Sequence, residues 1–498
     1  MNFWTPANIQ SLTLGVWVVR PPSAESFRAP VEGVATDSRS QVAGRAFVAL
    51  QGETFDAHDF LAQVSAAPLV IVSDEAKVPS AWRSGGGGGG GGKAAPAVLR
   101  VDSTLRALQR LAGAYRRAHA HLRVVGVTGS NGKTTTTRLL DTILAARYRG
   151  SASIKSFNNH IGVPLTLLAA RPGDEYVVCE MGMNHAGEIA PLTEMGAPDA
   201  GVITSLGRAH IENLGSVEAI AKEKASIFNG LKPEGLAVAP ADTALLGEYL
   251  RRLPHVVTFG KAAAADLRVT SIEVVRDGAG QPSSQRFTLN GRSAFTLPLL
   301  GEHNVMNATA AVAVARRFAM SDEEISGALA GARPPEMRFN RIVVRGASVV
   351  NDAYNASPES VAAALRTFAD LYPAGAGAVA AAGASRRVLV LGDMLELGEH
   401  ADKAHDEIAA LIAGVCPPDL LVTIGTRARR YAACRARLHE HFDNADAASC
   451  EAVAALIRPG DAVLLKASRR MGLERIVKAL ELAPPVTTVT PQRTTAKR

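Results

Sequence analysis

The sequence predicts an α/β protein of three domains, arranged around a central phosphate-binding domain with a mainly parallel sheet. Between residues 123 and 137, an apolar β-branched run leads into the glycine-rich turn TGSNGKT and then into a segment with helical spacing. Strand-like runs alternate with helical stretches on both sides of a proline pair at residues 334–335, which is typical of α/β domains. The 498 residues are also too many for one hydrophobic core.

The glycine-rich turn is typical of a nucleotide site. Its backbone amides and the start of the helix would point at an anion, Lys133 adds a positive charge, and the Thr134 hydroxyl can ligate Mg²⁺. Gly129 and Gly132 permit the tight backbone path. The strict motif has a further glycine where this chain has Val127, but an ordinary glycine-rich turn explains neither the lysine nor the threonine. We therefore expect a P-loop ATPase domain, with ATP bound by Thr128, Gly129, Ser130, Asn131, Gly132, Lys133, Thr134 and Thr135.

Composition excludes several classes of function. The net charge of +7 is spread without long runs, which suits anionic small substrates, and with 5% aromatic residues we expect no nucleic-acid partner. The four cysteines form no CxxC pair, so neither a zinc site nor a disulfide framework is indicated. The N-terminus lacks the features of a signal peptide and no run of about 18 apolar residues occurs, so we expect a cytoplasmic protein without membrane contact.

The first domain is predicted to cover residues 1–118. It contains short strands and turns, then a helix and a buried strand, and it ends in a helix that follows Ser103. A tract of eight glycines at residues 85–92 is expected to be a flexible surface loop. One turn carries the polar sequence Thr36, Asp37, Ser38 and Arg39, and spacing alone leaves open whether it is a site or a plain turn.

The central domain is predicted to cover residues 119–333 as alternating strands and helices. Two of its strands lead to Glu180 and His210, and ligands of open α/β sheets bind beyond the carboxyl ends of the strands. We therefore expect Lys133, Thr134, Glu180 and His210 to converge, with Mg²⁺ beside phosphate oxygens. Taken singly, such a glutamate is more often solvated and such a histidine more often structural.

The helix predicted at residues 216–228 carries two lysines. Ser216 is a plausible N-cap and Glu218 lies in the first turn. Lys222 and Lys224 project roughly 200° apart and cannot share one face, so the pattern singles out neither, and both could face solvent.

The third domain is predicted to cover residues 334–482 as a smaller, Rossmann-like α/β unit. Just before it, His303, Asn304 and Asn307 precede a helix of small residues, and asparagine side chains suit an adenine edge or a ribose. A hairpin, a polar loop and a helix follow the proline pair, and strands recur at residues 388–393, 420–426 and 462–468. Residues 483–498 are expected to form a disordered tail.

Taken together, the motifs identify a family. TGSNGKT, FNNHIGVPLTLL, CEMGMNHAGEI, AHIENLGSVEAIAKEKASIF, GEHNVMNATAA, NDAYNASPES and LGDMLELG resemble, in order, motifs of the Mur ligases of peptidoglycan synthesis, over nearly the whole chain. NDAYNASPES and LGDMLELG are most similar to the members that add D-alanyl-D-alanine. The resemblance implies a monomeric ligase that uses ATP, UDP-N-acetylmuramoyl-tripeptide and D-Ala-D-Ala. An acyl phosphate would form first, and attack by the amine would give the pentapeptide, ADP and phosphate.

The resemblance also implies roles for single residues. Lys133 would hold the ATP phosphates and Thr134 one Mg²⁺, while Glu180 and His210 would bind a second Mg²⁺. Lys224, in EKASIF, would be carbamylated, which turns a cation into an anion able to orient Mg²⁺ and needs a sheltered, deprotonated amine. The remaining assignments are Asn159 near the γ-phosphate, Asn304 and Asn307 at the adenine end, Arg338 and Asp352 brought in as the third domain closes, Asn158, Asn355 and Ser357 as substrate neighbours, and Thr36, Asp37, Ser38 and Arg39 at the UDP group.

The sequence departs from the family pattern at two places, and three alternative functions are open. Ala467 stands where the family usually has glycine, and the glycine tract looks like a neutral insertion. The alternatives are a ligase of the same family that adds the third residue, a regulatory P-loop NTPase, and a ligase that adds glutamate to folate. The sequence leaves open whether the third residue of the tripeptide is diaminopimelate or lysine.

Overall fold

The computed structural model describes residues 2–83, 95–154, 156–278, 280–373 and 386–482, and in these ranges the chain forms three α/β units. The predictions for the glycine tract at 85–92 and for the tail at 483–498 lie outside the described residues. The prediction of an α/β protein of three domains built on mainly parallel sheets is confirmed. The exact domain boundaries stay predictions.

The N-terminal unit has a five-stranded sheet in the order β1-β5-β4-β3-β2. Only the β1–β5 pair is antiparallel. The segment predicted as a helix before β4 is a 3₁₀ helix, Ala57–Val64. The strands are β1 (Val16–Val19), β2 (Val34–Ala35), β3 (Ala46–Val48), β4 (Leu69–Val72) and β5 (Ala97–Arg100).

The central unit has a nine-stranded sheet in the order β14-β13-β12-β11-β10-β9-β6-β8-β7. From β12 to β7 every pair is parallel, whereas β12, β13 and β14 form an antiparallel meander that the sequence analysis missed. The strands are β6 (Arg123–Thr128), β7 (Gly150–Ala152), β8 (Tyr176–Glu180), β9 (Ala200–Ile203), β10 (Leu236–Pro240), β11 (Val256–Gly260), β12 (Leu267–Arg276), β13 (Pro282–Leu289) and β14 (Ser293–Leu297).

The C-terminal unit has a six-stranded sheet in the order β15-β16-β20-β17-β18-β19. The predicted hairpin is the antiparallel pair β15–β16, and all other pairs are parallel. The polar edge strand β19 was missed. The strands are β15 (Asn340–Val344), β16 (Ala347–Asn351), β17 (Arg386–Gly392), β18 (Leu420–Ile424), β19 (Leu438–Phe442) and β20 (Asp461–Lys466).

Helices cover the sheets, and several begin at side chains that cap them. Ser103, Ser216 and Ser357 each accept a hydrogen bond from the backbone three residues on, which satisfies a free amide of the first turn. The helices are α1 (Pro6–Thr13), α2 (Ser80–Arg83), α3 (Thr104–Ala118), α4 (Lys133–Ala145), α5 (Gly162–Leu168), α6 (Ile189–Gly196), α7 (Ile211–Leu214), α8 (Val217–Ala225), α9 (Gly247–Leu250), α10 (Glu302–Arg317), α11 (Asp322–Leu329), α12 (Pro358–Leu371), α13 (Ala401–Val415), α14 (Ala447–Leu456) and α15 (Glu474–Leu482).

Helix α3 joins the first two units. It packs on α1 on one side and on α5 and α6 of the central unit on the other. The Tyr115 hydroxyl donates to the carbonyl of Ala170, and the buried Arg116 guanidinium binds Asp199 at 3.0 Å. The helix predicted to end the first domain is therefore also part of the central core.

In the described ranges, no helix is long and apolar enough to cross a membrane.

Candidate functional site

The glycine-rich turn joins β6 to α4 at the carboxyl edge of the central sheet. Gly129 has φ +151 and Gly132 φ +86, which are conformations that favour glycine. A Cβ on Gly129 would lie 1.9 Å from Thr204 Oγ1, and one on Gly132 would lie 2.2 Å from Asn307 Oδ1. Both glycines are therefore required by close neighbours as well as by backbone conformation.

The loop after β9 supports this turn. The Ser130 hydroxyl donates to the carbonyl of Gly207 and accepts from its amide, at 3.1 and 3.0 Å. The Asn131 amide donates to Ser205 Oγ at 2.9 Å, and its carbonyl accepts from Ser205 and Thr204. These hydrogen bonds between the turn and the loop after β9 fix the shape of the phosphate-binding turn without a ligand.

Glu180, at the end of β8, is the buried carboxylate of the site. Its side chain is 1% exposed, Oε2 accepts from the Thr134 hydroxyl at 2.8 Å, and Oε1 accepts from Asn158 Nδ2 at 2.8 Å. Each carboxylate oxygen keeps a free lone pair, as does the threonine oxygen. This set of hard oxygen donors fits Mg²⁺, which typically takes one or two carboxylates together with water and substrate phosphates.

In the described residues, no group of three or more His, Cys, Asp and Glu side chains forms a metal site by itself. The oxygen donors around Glu180 therefore fit a metal site in which phosphate oxygens of a bound nucleotide supply further ligands.

Lys224 is the second buried ionisable group here. Its side chain is 1% exposed, and burial, followed by the charge of Lys133, holds the pKa of its amine well below the usual value. Within the described ranges its ammonium group makes no hydrogen bond. The idea that Lys222 and Lys224 both face solvent is wrong for Lys224, because α8 turns that side into the core while Lys222 stays exposed.

Lys133 lies next to these groups. Its Nζ donates to the carbonyl of Gly129 at 2.9 Å. Burial lowers the pKa of its amine; Glu180 opposes that shift and Arg338 adds to it. Arg338, from the C-terminal unit, is therefore close enough to act electrostatically on the phosphate-binding turn. Its guanidinium stacks on the Tyr354 ring, 4.1 Å from the centroid.

A cavity of about 540 Å³ opens from the turn and lies between the central and C-terminal units. The C-terminal unit contributes Lys466, whose buried ammonium group binds Asp352 Oδ2 at 2.6 Å and the carbonyl of Asn355 at 3.1 Å. The cavity is lined by Asn131, Gly132, Thr135, Thr204, Ser205, His303, Asn304, Asn307, Arg338, Phe339, Asp352, Tyr354, Asn355, Glu359 and Lys466, among others.

The two asparagines lie inside α10, in its first two turns, and not before the helix as predicted. Asn307 Oδ1 accepts from the Thr136 hydroxyl at 3.3 Å, and Asn307 Nδ2 donates to Asn304 Oδ1 at 3.3 Å. Burial lowers the pKa of the neighbouring His303 to about 4, so this wall of the cavity carries a neutral imidazole at neutral pH.

Other predicted residues lie around the same edge. His210 has left-handed φ, and its Nδ1 is 2.7 Å from Glu396 Oε2 of the C-terminal unit. The Ser357 hydroxyl donates to Asn131 Oδ1 at 3.1 Å. Asn159 Oδ1 accepts hydrogen bonds from the amides of residues 161 and 162, where α5 begins.

Asn159 also lines a second cavity, of about 610 Å³, between α3 and α6. Gly182, which also lines this cavity, packs against the Asn158 side chain, and Asn158 donates to Glu180.

The turn of Thr36, Asp37, Ser38 and Arg39 lies apart from these residues, on the exposed surface of the N-terminal unit. Asp37 and Arg39 pair with each other at 2.8 Å, and Ser38 donates to Gln63 at 3.3 Å. The arrangement leaves Arg39 86% exposed and available to an anionic group.

Sequence reasoning missed several residues of the site. Glu223 accepts from the amides of Gly187 and Ile189 and so fixes the loop after Glu180. Lys466 ends β20, next to Ala467, and Tyr354 and Glu396 lie within NDAYNASPES and LGDMLELG. A buried strand that ends in lysine was the one local signal for Lys466.

Comparison with known proteins gives a consistent result over most of the chain. Residues 127–315 match the Mur ligase middle domain, and residues 337–469 match the Mur ligase, glutamate ligase domain. The UDP-N-acetylmuramoyl-tripeptide–D-alanyl-D-alanine ligase of Bacillus subtilis is 38% identical over 91% of this chain and 94% of its own length.

Two solved structures are similar throughout. MurF from Acinetobacter baumannii superposes with a TM-score of 0.79 at 31% identity, over 96% of this chain and 98% of its own. MurF from Thermotoga maritima, solved in complex with ADP, gives 0.74 at 26% identity, over 90% and 97%.

Proposed function

The chain belongs to the Mur ligase family, and we propose that it is the family member that joins D-alanyl-D-alanine to UDP-N-acetylmuramoyl-tripeptide with consumption of ATP. Besides the similarity to known ligases, one structural observation supports the proposal. The phosphate-binding turn, the buried Glu180 and the buried Lys224 meet at one edge of the sheet, and the C-terminal unit covers this edge with Arg338 and Lys466. Such an arrangement can activate a carboxylate as an acyl phosphate away from water.

The nucleotide would occupy the cavity between the central and C-terminal units. The amides of residues 130–133 and the N-terminus of α4 would hold its phosphates, since the dipole of a helix favours negative charge at that end. Asn304 and Asn307 also line this cavity, with Asn307 directly beside Gly132, and they would contact the adenine end. The Thermotoga maritima relative was solved in complex with ADP, which supports the binding of an adenine nucleotide by this chain.

The carboxylate of the tripeptide would enter from the second cavity, whose lining residue Gly182 packs against Asn158, a hydrogen-bond partner of Glu180. An oxygen of this carboxylate attacks the γ-phosphorus, a new O–P bond forms, and the bond to ADP breaks. Lys133 and Arg338 contribute positive charge where negative charge develops on the phosphate oxygens. Asn159 lines that cavity and would orient the carboxylate.

The amine of D-Ala-D-Ala would then attack the acyl carbon. The C–N bond forms and phosphate leaves, so that the products are the UDP-linked pentapeptide, ADP and phosphate. Asn355 and Ser357, in the loop that leads into α12, are placed to contact this substrate beside the P-loop. Water would compete with the amine, which explains why the C-terminal unit covers the site.

Thr134 would hold one Mg²⁺, and Glu180 with His210 would bind the second, which a carbamylated Lys224 would help to orient. Bound Mg²⁺ supplies charge neutralisation on the phosphate oxygens. The neutral amine of Lys224 can add to CO₂ with loss of one proton, and the resulting carbamate places a negative charge beside Lys133. Burial of this lysine without a hydrogen-bond partner in the described residues favours such a modification.

We also propose that the protein acts as a monomer in the cytoplasm. Residues of a single chain line both cavities, so a second copy is not required. The four cysteines are free and buried, which agrees with a reducing compartment.

The test is product identity. Incubation of the purified chain with ATP, Mg²⁺, UDP-N-acetylmuramoyl-tripeptide and D-Ala-D-Ala should give a product heavier than the tripeptide by one D-Ala-D-Ala residue pair, measured by mass spectrometry. Formation of this product only from a shorter, dipeptide substrate and a free third amino acid would contradict the proposal.

A further inference from the structure

We propose that Arg208 is a positioning residue that fixes the C-terminal unit against the phosphate-binding turn in the reactive arrangement; this inference rests on the proposed function. Arg208 lies in the loop between β9 and α7, directly after Gly207. No motif used above singles it out.

Arg208 is bound to two carboxylates on two helices of the C-terminal unit. Its Nε donates to Glu359 Oε1 at 2.9 Å and its backbone amide donates to Glu359 Oε2 at 3.2 Å. Its Nη1 donates to Glu407 Oε2 at 2.7 Å. Glu359 belongs to α12 and Glu407 to α13, so one guanidinium ties two helices to one loop of the central unit.

The other side of this loop holds the phosphate-binding turn. Gly207 exchanges two hydrogen bonds with the Ser130 hydroxyl, and a Cβ at Gly207 would lie 2.8 Å from Glu359 Oε2. Ser130, Gly207, Arg208 and Glu359 therefore form a continuous chain of contacts from the P-loop to the C-terminal unit. Glu359 itself lines the nucleotide cavity.

These charged contacts accompany other bonds between the units, which include the 2.7 Å contact of His210 Nδ1 with Glu396 Oε2. Tyr354 donates to Ser156 and Ser357 donates to Asn131, and both bonds join neutral groups. Hydrogen bonds between charged groups are roughly twice as strong as neutral ones. The side chains of Arg208, Glu359 and Glu407 are 29%, 35% and 41% exposed, so water screens these pairs only in part.

Loss of Arg208 should therefore lower the fraction of molecules in the closed arrangement, and with it the placement of Arg338 and Lys466 over the site. Only closed molecules present the complete site, so the apparent activity falls with their fraction. The chain offers a matched control in Arg430, whose guanidinium binds both oxygens of Asp406 at 2.9 and 2.8 Å within the C-terminal unit. Arg430 is 40% exposed and touches no residue of the site.

The experiment compares Arg208→Gln with Arg430→Gln. We expect about a tenfold fall in kcat/KM for D-Ala-D-Ala in Arg208→Gln and less than a twofold change in Arg430→Gln, because a charge-assisted bond is worth about one power of ten. Small-angle X-ray scattering with saturating ADP should give a larger radius of gyration for Arg208→Gln than for the wild type. Equal activity and equal radius for the two variants would overturn the inference.

Charge reversal separates positioning from simple stability. Arg208→Glu should be less active than Arg208→Gln, because it faces two carboxylates, and adding Glu407→Arg should restore at least fivefold of the lost activity. Failure of this rescue, with both proteins folded by circular dichroism, would also overturn the inference. If the wild type shows no turnover that depends on D-Ala-D-Ala, the proposed function fails, and the scattering comparison with ADP still decides on Arg208.

Discussion

Gly132→Ala should lower both the free energy of unfolding and the turnover. Gly132 has φ +86 and ψ −9, a left-handed conformation that costs a residue with a Cβ about 1–2 kcal/mol. The new Cβ would also lie 2.2 Å from Asn307 Oδ1. Asn307 is buried and hydrogen-bonded to Thr136 and Asn304, so it cannot turn away, and overpacking of this kind costs about 1–3 kcal/mol.

The expected loss in the free energy of unfolding is therefore about 2–5 kcal/mol. Gly173→Ala is the matched control, because Gly173 has φ +90 but no atom lies within 4 Å of the added Cβ. It should lose only the backbone contribution of about 1–2 kcal/mol and keep full turnover.

Urea denaturation of both variants, with ATP-dependent turnover measured in parallel, tests this reasoning. Turnover of Gly132→Ala should fall at least about tenfold, since a misplacement of 1 Å in a site can cost more than that. The double variant Gly132→Ala with Asn307→Ala should lose less free energy of unfolding than the two single variants lose together, because the second substitution removes the clash. Gly132→Ala with the stability and turnover of Gly173→Ala would refute the argument.

Further predictions concern three ionisable groups of the site. Lys224→Met should keep the fold and lose turnover, with no rescue by acetate, whereas acetate or formate should partly restore Lys224→Ala; normal turnover in either variant would end the carbamate proposal. Since the folded pKa of Lys224 is lowered, the unfolded chain binds more protons, so wild-type stability should rise with pH up to about 10.5, and Lys224→Met should lack this slope in denaturation at several pH values. Glu180→Gln should raise the Mg²⁺ concentration for half-maximal turnover at least about tenfold. Glu175→Gln, directly before β8, is the control and should leave it unchanged. An unchanged Mg²⁺ dependence in Glu180→Gln would show that Glu180 does not bind the metal. His303, with its pKa lowered to about 4, should make stability fall as the pH drops from 6.5 toward 4, and a persisting fall of equal size in His303→Gln would show that other groups cause it.

Local patterns predicted the framework of the site well. The strand, glycine turn and helix around Lys133 follow from contiguous residues, and the parallel order of β6, β8 and β9 then brings Glu180 and Thr134 together. The carboxyl edge of a parallel sheet collects residues that are far apart in sequence, so a prediction of strands alone was enough here.

Other features depend on contacts that no local pattern contains. The periodicity of α8 could not choose between Lys222 and Lys224, because the choice depends on which face the sheet covers. The partners of the P-loop in the C-terminal unit, such as Ser357 with Asn131, lie more than 200 residues away. The antiparallel meander β12–β14 was not predicted, because strands and helices were expected to alternate up to the end of the central domain.

Release of phosphate from ATP tests the central claim most directly. The wild-type chain should release phosphate rapidly only when UDP-N-acetylmuramoyl-tripeptide and D-Ala-D-Ala are both present, since the amine must consume the acyl phosphate to complete a turnover. Release that needs neither substrate would contradict this account and indicate a regulatory NTPase. Release only with UDP-N-acetylmuramoyl-dipeptide and a free third amino acid would keep the ATP site and contradict the assignment of the C-terminal unit.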